Sequence, residues 1–387
     1  MRMRKATSAL LGLLLAGVAA TPAHAKTIRE QQWHLDAMNA DAIWNISTGK
    51  GVTVAVIDSG VGRIPELEGQ VLPGKDFATS YGNDERTDYD KHGTAMAAII
   101  AGSGKHPSGD GAFGLAPGAK ILPIRVPHEM NALAPSWTEA IRYAADSEAK
   151  IINIALGMPD KDDPARLDAV KYALSKGKLI FAAVGNDGAS TNDVKYPAAT
   201  PGIVGVGAVG PDGGATKESQ YGPQVDLTAP GTDIVTACLG GTGLCKNHGT
   251  SDATALVSAS AALLWSAHPE WTNNQVLRVL LNTAGKADDG KERNDYLGYG
   301  IVRPKVALPT PGDPGPADVF PLPDLAAADA KSSPAPSAAA KASESAAPQA
   351  DAKADGVSGT TWIALGLGAC VLVGGAVTAV VVRRRSG

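Results

Sequence analysis

Three short stretches of this 387-residue chain carry side chains that could attack a carbonyl or move a proton. Asp58 closes the apolar run Val52–Ile57 and is followed by Ser59-Gly60. His92 stands in Asp90-Lys91-His92-Gly93-Thr94, ahead of a small-residue segment. Ser251 stands in Asn247-His248-Gly249-Thr250-Ser251-Asp252-Ala253, at the head of a long Ala/Ser-rich segment. Each has an ordinary structural reading when taken alone. The carboxylate could cap a turn, the histidine could bond a helix end, and the serine could be an N-cap. Taken together they describe one chemistry. A serine hydroxyl is a poor nucleophile until a neighbouring base removes its proton. An imidazole serves as that base when a carboxylate fixes its tautomer and stabilises its charged form.

Residues so far apart in sequence meet only if the elements carrying them end at one place. Short apolar, β-branched runs recur at 52–57, 120–126, 151–156, 179–184 and 203–209. Helical spacing falls between them at 93–101, 136–145 and 164–175, and beyond them at 250–267 and 272–282. Thr272 is the expected N-cap of the last. Residues 32–46, with Trp33, Leu35, Met38, Ile43 and Trp44, read as one amphipathic helix. Near-continuous apolar strands alternating with helices predict an α/β fold, a mostly parallel sheet between helical layers. In such sheets chemistry collects at the carboxyl ends of the strands, where Asp58 lies.

The three motifs in the order Asp58, His92, Ser251 resemble the subtilisin family of serine proteases. That order differs from the chymotrypsin and α/β-hydrolase arrangements. The resemblance runs from about Val52 to Val302 and includes Gly114-Leu115-Ala116-Pro117-Gly118-Ala119, Ile152-Asn153-Ile154-Ala155-Leu156-Gly157 and Ala182-Ala183-Val184-Gly185-Asn186. It implies the three-layer subtilisin fold, with Ser251 as nucleophile, His92 as base and Asp58 as its orienting carboxylate. Asn186 matches the family's oxyanion donor; losing such a donor costs about 10² to 10³ in turnover. The backbone of Ala155, Leu156 and Gly157 would bind substrate as an added strand. Ala182, Ala183 and Gly185 would line the neighbouring pocket. No cofactor or metal is implied; structural calcium has no clear motif, and Asp84, Glu85, Asp88 and Asp90 read as a solvated loop.

The chain departs from the family in places. Ala155 stands where serine is common, a change a backbone contact survives. Asp252 follows the nucleophile where the family usually has methionine, which puts substrate preference in doubt. His248 reads as a loop residue rather than a second base. Gly60-Val61-Gly62 lacks the later glycine and helix of a dinucleotide site. Cys238 and Cys245 bracket a glycine-rich segment just before Ser251, and a disulfide is expected there in an exported protein.

The ends read as addresses. Residues 1–25, with Arg2, Arg4, Lys5, a short apolar run and Ala23-His24-Ala25, form an expected signal peptide. Residues 26–308 form the peptidase domain. Residues 309–360 hold 9 of the 26 prolines and read as a disordered tether reaching at most about 160 Å. Residues 361–382 carry no charge and, at roughly 33 Å as a helix, could cross a bilayer. The basic tail 383–387 would then be cytoplasmic, and the catalytic domain extracellular. Signal peptide, tether, single helix and basic tail together resemble the mycosins, membrane-anchored subtilases of actinobacterial type VII secretion. That resemblance implies protein substrates, a secretion membrane complex as partner, and a scaffold role as the alternative to proteolysis. With Lys+Arg 35 against Asp+Glu 39, the net charge of −4 offers no field for nucleic acid.

Overall fold

A computed structural model describes residues 26–332, except 83, 128–129 and 161–162. The expected signal peptide, the apolar segment 361–382 and the basic tail lie outside the described residues. Among the described residues no helix is long and apolar enough to cross a membrane.

The apolar runs become strands β1 (Thr53–Asp58), β2 (Lys75–Asp76), β3 (Lys120–Arg125) and β4 (Ile151–Ile154), then β5 (Met158–Pro159), β6 (Leu179–Ala183), β7 (Lys195–Tyr196), β8 (Val204–Val209) and β9 (Leu227–Pro230). A hairpin, β10 (Ile234–Ala237) and β11 (Leu244–Asn247), follows. Seven strands pair in the order β2-β3-β1-β4-β6-β8-β9, every pair parallel. Both faces are buried, as the unbroken apolar runs require. Along β1 the side chains alternate between two cores: Val54 and Val56 face one, Ala55 and Ile57 the other.

The first three helices are α1 (Ile28–Gln31), α2 (Trp33–Ala37) and α3 (Ala40–Ile43). The last two replace the single helix expected over 32–46. Gln32, its expected first residue, sits between α1 and α2 and gives Nε2–H to Phe113 O (2.7 Å) and Val235 O (3.1 Å). Asn39 splits the expected run in the left-handed region, φ 56°. The layers are completed by α4 (His92–Ala101), α5 (Met130–Asp146), α6 (Pro164–Ser175), α7 (Thr250–Ala267) and α8 (Asn273–Thr283). Thr272 caps α8 as expected, in a capping box with Gln275. Packed on one face are α4, α7 and α8; on the other are α5 and α6.

The chain stays attached past residue 308. After α9 (Pro304–Ala307), residues 309–323 lie along α8 and lead into α10 (Asp324–Ser332). Arg278 donates to the carbonyls of Pro314, Pro316 and Val319 (2.8, 2.8 and 2.6 Å), and Gln275 to Gly315 (3.0 Å). Leu322 is buried in the main core. The expected start of the tether at Pro309 is therefore corrected. Composition suggested solvated chain, but side chains of α8 satisfy several of this segment's backbone carbonyls, and Phe320 and Leu322 pack on the core.

One buried carboxylate sets an alkaline limit on the fold. Asp226 accepts from Gly205 N (2.9 Å), and burial pushes its carboxyl up to about 8, with Asp324 adding to the rise. A carboxyl protonated in the fold but ionised when unfolded costs stability as pH climbs from the ordinary value to the raised one. Asp226→Asn should therefore flatten the decline of Tm between pH 4 and 8 and melt several degrees above the parent at pH 9. Parallel melting curves across that range would contradict the assignment.

Candidate active site

The cleft forms where β1, β4 and β6 end and where α4 and α7 begin. Asp58, last residue of β1, is wholly buried, and its oxygens face His92 Nδ1 at 2.8 and 3.0 Å. The same carboxylate accepts from Ser59 N (2.8 Å). His92 opens α4 directly after Lys91, which holds a left-handed φ of 68°. Asp88 makes that turn: Oδ1 accepts from Ser59 Oγ and the N–H groups of Asp90 and Lys91, and Oδ2 from Thr94 N and Oγ1 (2.5–3.1 Å). It is a site-building residue that sequence reasoning placed in a solvated loop. Its spacing of two to six residues before a helix start was the available signal.

Gly93 allows the histidine to close on its carboxylate. A Cβ there would fall inside van der Waals contact of Gly60 O and 3.0 Å from Asp58 Cβ. Burial alone would pull the His92 imidazole down. The Asp58 charge and hydrogen bond, with smaller contributions from Asp252 and Asp90, carry it up to about 9.

Ser251 occupies the first turn of α7, whose N-cap Gly249 (φ 130°) offers no capping side chain. That leaves first-turn N–H groups, with the partial positive charge of the helix end, facing the cleft. Thr250 joins the nucleophile segment to the oxyanion candidate: its N–H and Oγ–H donate to Asn186 Oδ1 at 2.9 and 3.0 Å. This fixes the amide so that Nδ2–H₂ remains for a ligand. Ser251 Oγ itself donates to Ala155 O at 2.8 Å. His92, Asn186, Ser251 and Asp252 line one cleft of about 500 Å³, closed on one side by the hairpin. Cys238 and Cys245 are joined there by a disulfide, Cα–Cα 6.0 Å.

The expected substrate residues divide. Beyond β4 the chain runs on as Ala155, Leu156 and Gly157, with Gly157 exposed. A Cβ at Gly157 would lie in ordinary contact, 3.5 Å from Ala183 O and from Lys195 Cβ. Ala182 is not available to substrate. Its side chain is fully buried in the core under α5 and α6, and its backbone is paired on both sides in β6. Gly185 lies against Gln220, whose Oε1 occupies the space a Cβ would need. His248 is 70% exposed and ion-paired to Glu218 (2.8 Å), as a loop residue would be. Among the described residues no group of three or more metal-ligating side chains gathers. Asp84 and Glu85 accept from Arg86 N and Gly74 N respectively.

Known proteins share this arrangement. The subtilase family model, Peptidase S8, matches residues 49–300. Subtilisin NAT of Bacillus subtilis subsp. natto is 36% identical over 264 residues, covering 67% of this chain and 66% of that protein's length. The crystal structure of MycP1 from Mycobacterium smegmatis superimposes with a TM-score of 0.64 at 28% identity, covering 74% of this chain and 86% of that one. MycP3 protease from the type VII (ESX-3) secretion system superimposes with a TM-score of 0.61 at 33% identity, covering 71% and 87%. With an all-parallel sheet, the Asp58–His92 pair and Ser251 in one cleft, and with the match spanning just under two thirds of the subtilisin relative's length, this chain is a member of the subtilase family.

Proposed function

We propose that the chain hydrolyses peptide bonds through an acyl-enzyme on Ser251, cutting exported proteins from the outer face of a membrane. The observation that carries this is the buried Asp58 carboxylate on His92 Nδ1, which leaves Nε2 of the ring for a cleft that also holds Ser251 and Asn186. An extended substrate would pair with Ala155–Gly157. Its N–H would take the Ala155 carbonyl now occupied by Ser251, freeing the hydroxyl to turn to His92. His92 takes the proton as Ser251 Oγ bonds to the scissile carbon. Asn186 Nδ2 and the Ser251 N–H hold the oxyanion. His92 then returns the proton to the leaving amine, and water repeats the sequence on the ester.

The membrane location rests on the expected signal peptide 1–25 and the uncharged segment 361–382. The type VII setting rests on the likeness to MycP1 and MycP3. That likeness also supports a second reading, a scaffold in a secretion complex with proteolysis secondary. A fluorophosphonate probe should form one adduct on the full chain, mapped to Ser251 by peptide mass spectrometry. No adduct at any pH would remove the peptidase reading. A Ser251→Ala chain that still restored secretion to a deleted host would favour the scaffold.

A further inference from the structure

The residue after the nucleophile remains unexplained by the mechanism. Asp252 is 1% exposed, and its Oδ1 has no hydrogen-bond partner among the described residues. The Asn247 side chain hydrogen-bonds the carboxylate, but burying an ionised carboxylate is still costly, so such a group also takes up a proton or lies against a cation. It lines the same cleft as His92. Burial pushes its carboxyl up to about 6, and the charge of His92 is the largest influence holding it from rising further.

We propose that Asp252 is a positioning residue, a second counter-charge that holds His92 as imidazolium in the resting site and delays release of the base to alkaline pH. The inference rests on the peptidase reading only for its effect on rate. Other charged groups surround His92, and of these Asp58 attracts the imidazolium more than Asp252 does and Asp90 less. From β1 comes Asp58, the primary partner, and from the loop before α4 come Asp90 and Lys91. Lys91 Nζ reaches toward Gly240 of the hairpin. From β11 and the loop after it come Lys246 and His248, which are paired outward to Asp233 (2.9 Å) and Glu218 (2.8 Å). Negative charge therefore dominates around the ring, and Asp252 is its only contributor from the nucleophile's own helix. The rotamer of Ser251 agrees. A doubly protonated imidazole offers Nε2 only as a donor, and the serine hydroxyl is given to Ala155 O instead.

The test uses the full chain with isotope-labelled histidine. In a Ser251→Ala background, NMR should show His92 titrating well above the ordinary imidazole range. Adding Asp252→Asn, which keeps the shape, should lower the midpoint by about one pH unit. In active protein the same substitution should move the acid limb of kcat/KM down equally. At pH 7 that is a gain of about tenfold, shrinking to none once both proteins are past their limbs. An unmoved midpoint in the variant, or an ordinary midpoint in the parent, overturns the proposal. Should Asp252→Asn fail to fold, Asp252→Met and the parent titration decide by the same criteria. A chain inactive at every pH defeats the peptidase reading while the NMR midpoint still decides this one.

Discussion

Asp58→Asn is expected to lower kcat by about 10⁴-fold with little change in KM. The substitution keeps size and hydrogen-bonding capacity, so the Ser59 contact can persist. It fails in two electronic respects. An amide can present N–H₂ to His92 Nδ1, which favours the tautomer with its proton on Nε2, where Ser251 needs an acceptor. It also removes the main attraction that raises His92 against its burial. The acid limb of whatever activity survives should therefore fall below the parent's. Stability gives an independent reading. A histidine raised in the fold contributes stability that is complete below about 6.5 and is lost as pH rises through about 9. The parent's Tm should decline across that window and the variant's should decline less. A loss of kcat under tenfold would remove Asp58 from its assigned role.

Gly93→Ala should cost roughly 10² in kcat/KM although no substrate touches that residue. The added methyl meets Gly60 O and Asp58 Cβ, both backbone-anchored at the end of β1. Neither can swing aside as a flexible side chain would. Room comes only from moving the start of α4 by about 1 Å, a displacement of the size that defeats proton transfer in a preorganised site. Because Gly93 N also donates to Ser59 Oγ (3.0 Å), the shift would loosen the turn built on Asp88 as well. Ala98→Gly, later in the same helix, is the control for helix propensity: it should lower Tm while leaving kcat/KM within about threefold. Equal kinetic losses in the two variants would mean that helix stability, not the close approach at Gly93, is limiting.

Much of this architecture was legible because it is encoded locally. Strands β1, β3, β4, β6 and β8 announce themselves as continuous β-branched runs, since both faces of a parallel sheet must be apolar. β9 and β11 escaped because four-residue strands carrying Pro230, or Lys246 and Asn247, have no such run. The N-terminal segment was misread as one helix because its apolar spacing continues across Asn39, whose left-handed backbone divides it. The strap along α8 was hidden because its Ala/Pro composition says nothing of Arg278. Asp58, His92, Ser251 and Asn186 stand in motifs whose neighbours are constrained by the same geometry. Asp88 and Asp252 do not: one looked like a surface acid and the other like a departure bearing on substrate preference. Ala182 was expected at the substrate pocket because it adjoins Ala183 and Gly185 in one motif, but strand alternation turns it into the core.

The site's parts are brought together across long stretches of chain: His92 reaches back 34 residues to Asp58, Asn186 waits 64 residues for Thr250, and Ser251 returns 96 residues to Ala155. A parallel sheet makes this unavoidable, because each strand must be followed by a crossover before its neighbour is laid down. Such long-separated pairings form late in folding, after their loop-closure entropy has been overcome. A chain of this design cannot cut anything, its own unfolded segments included, until α7 has docked across the strands that hold the other residues. Catalytic competence is thereby timed by topology, and a nascent copy emerging unfolded is harmless to its siblings.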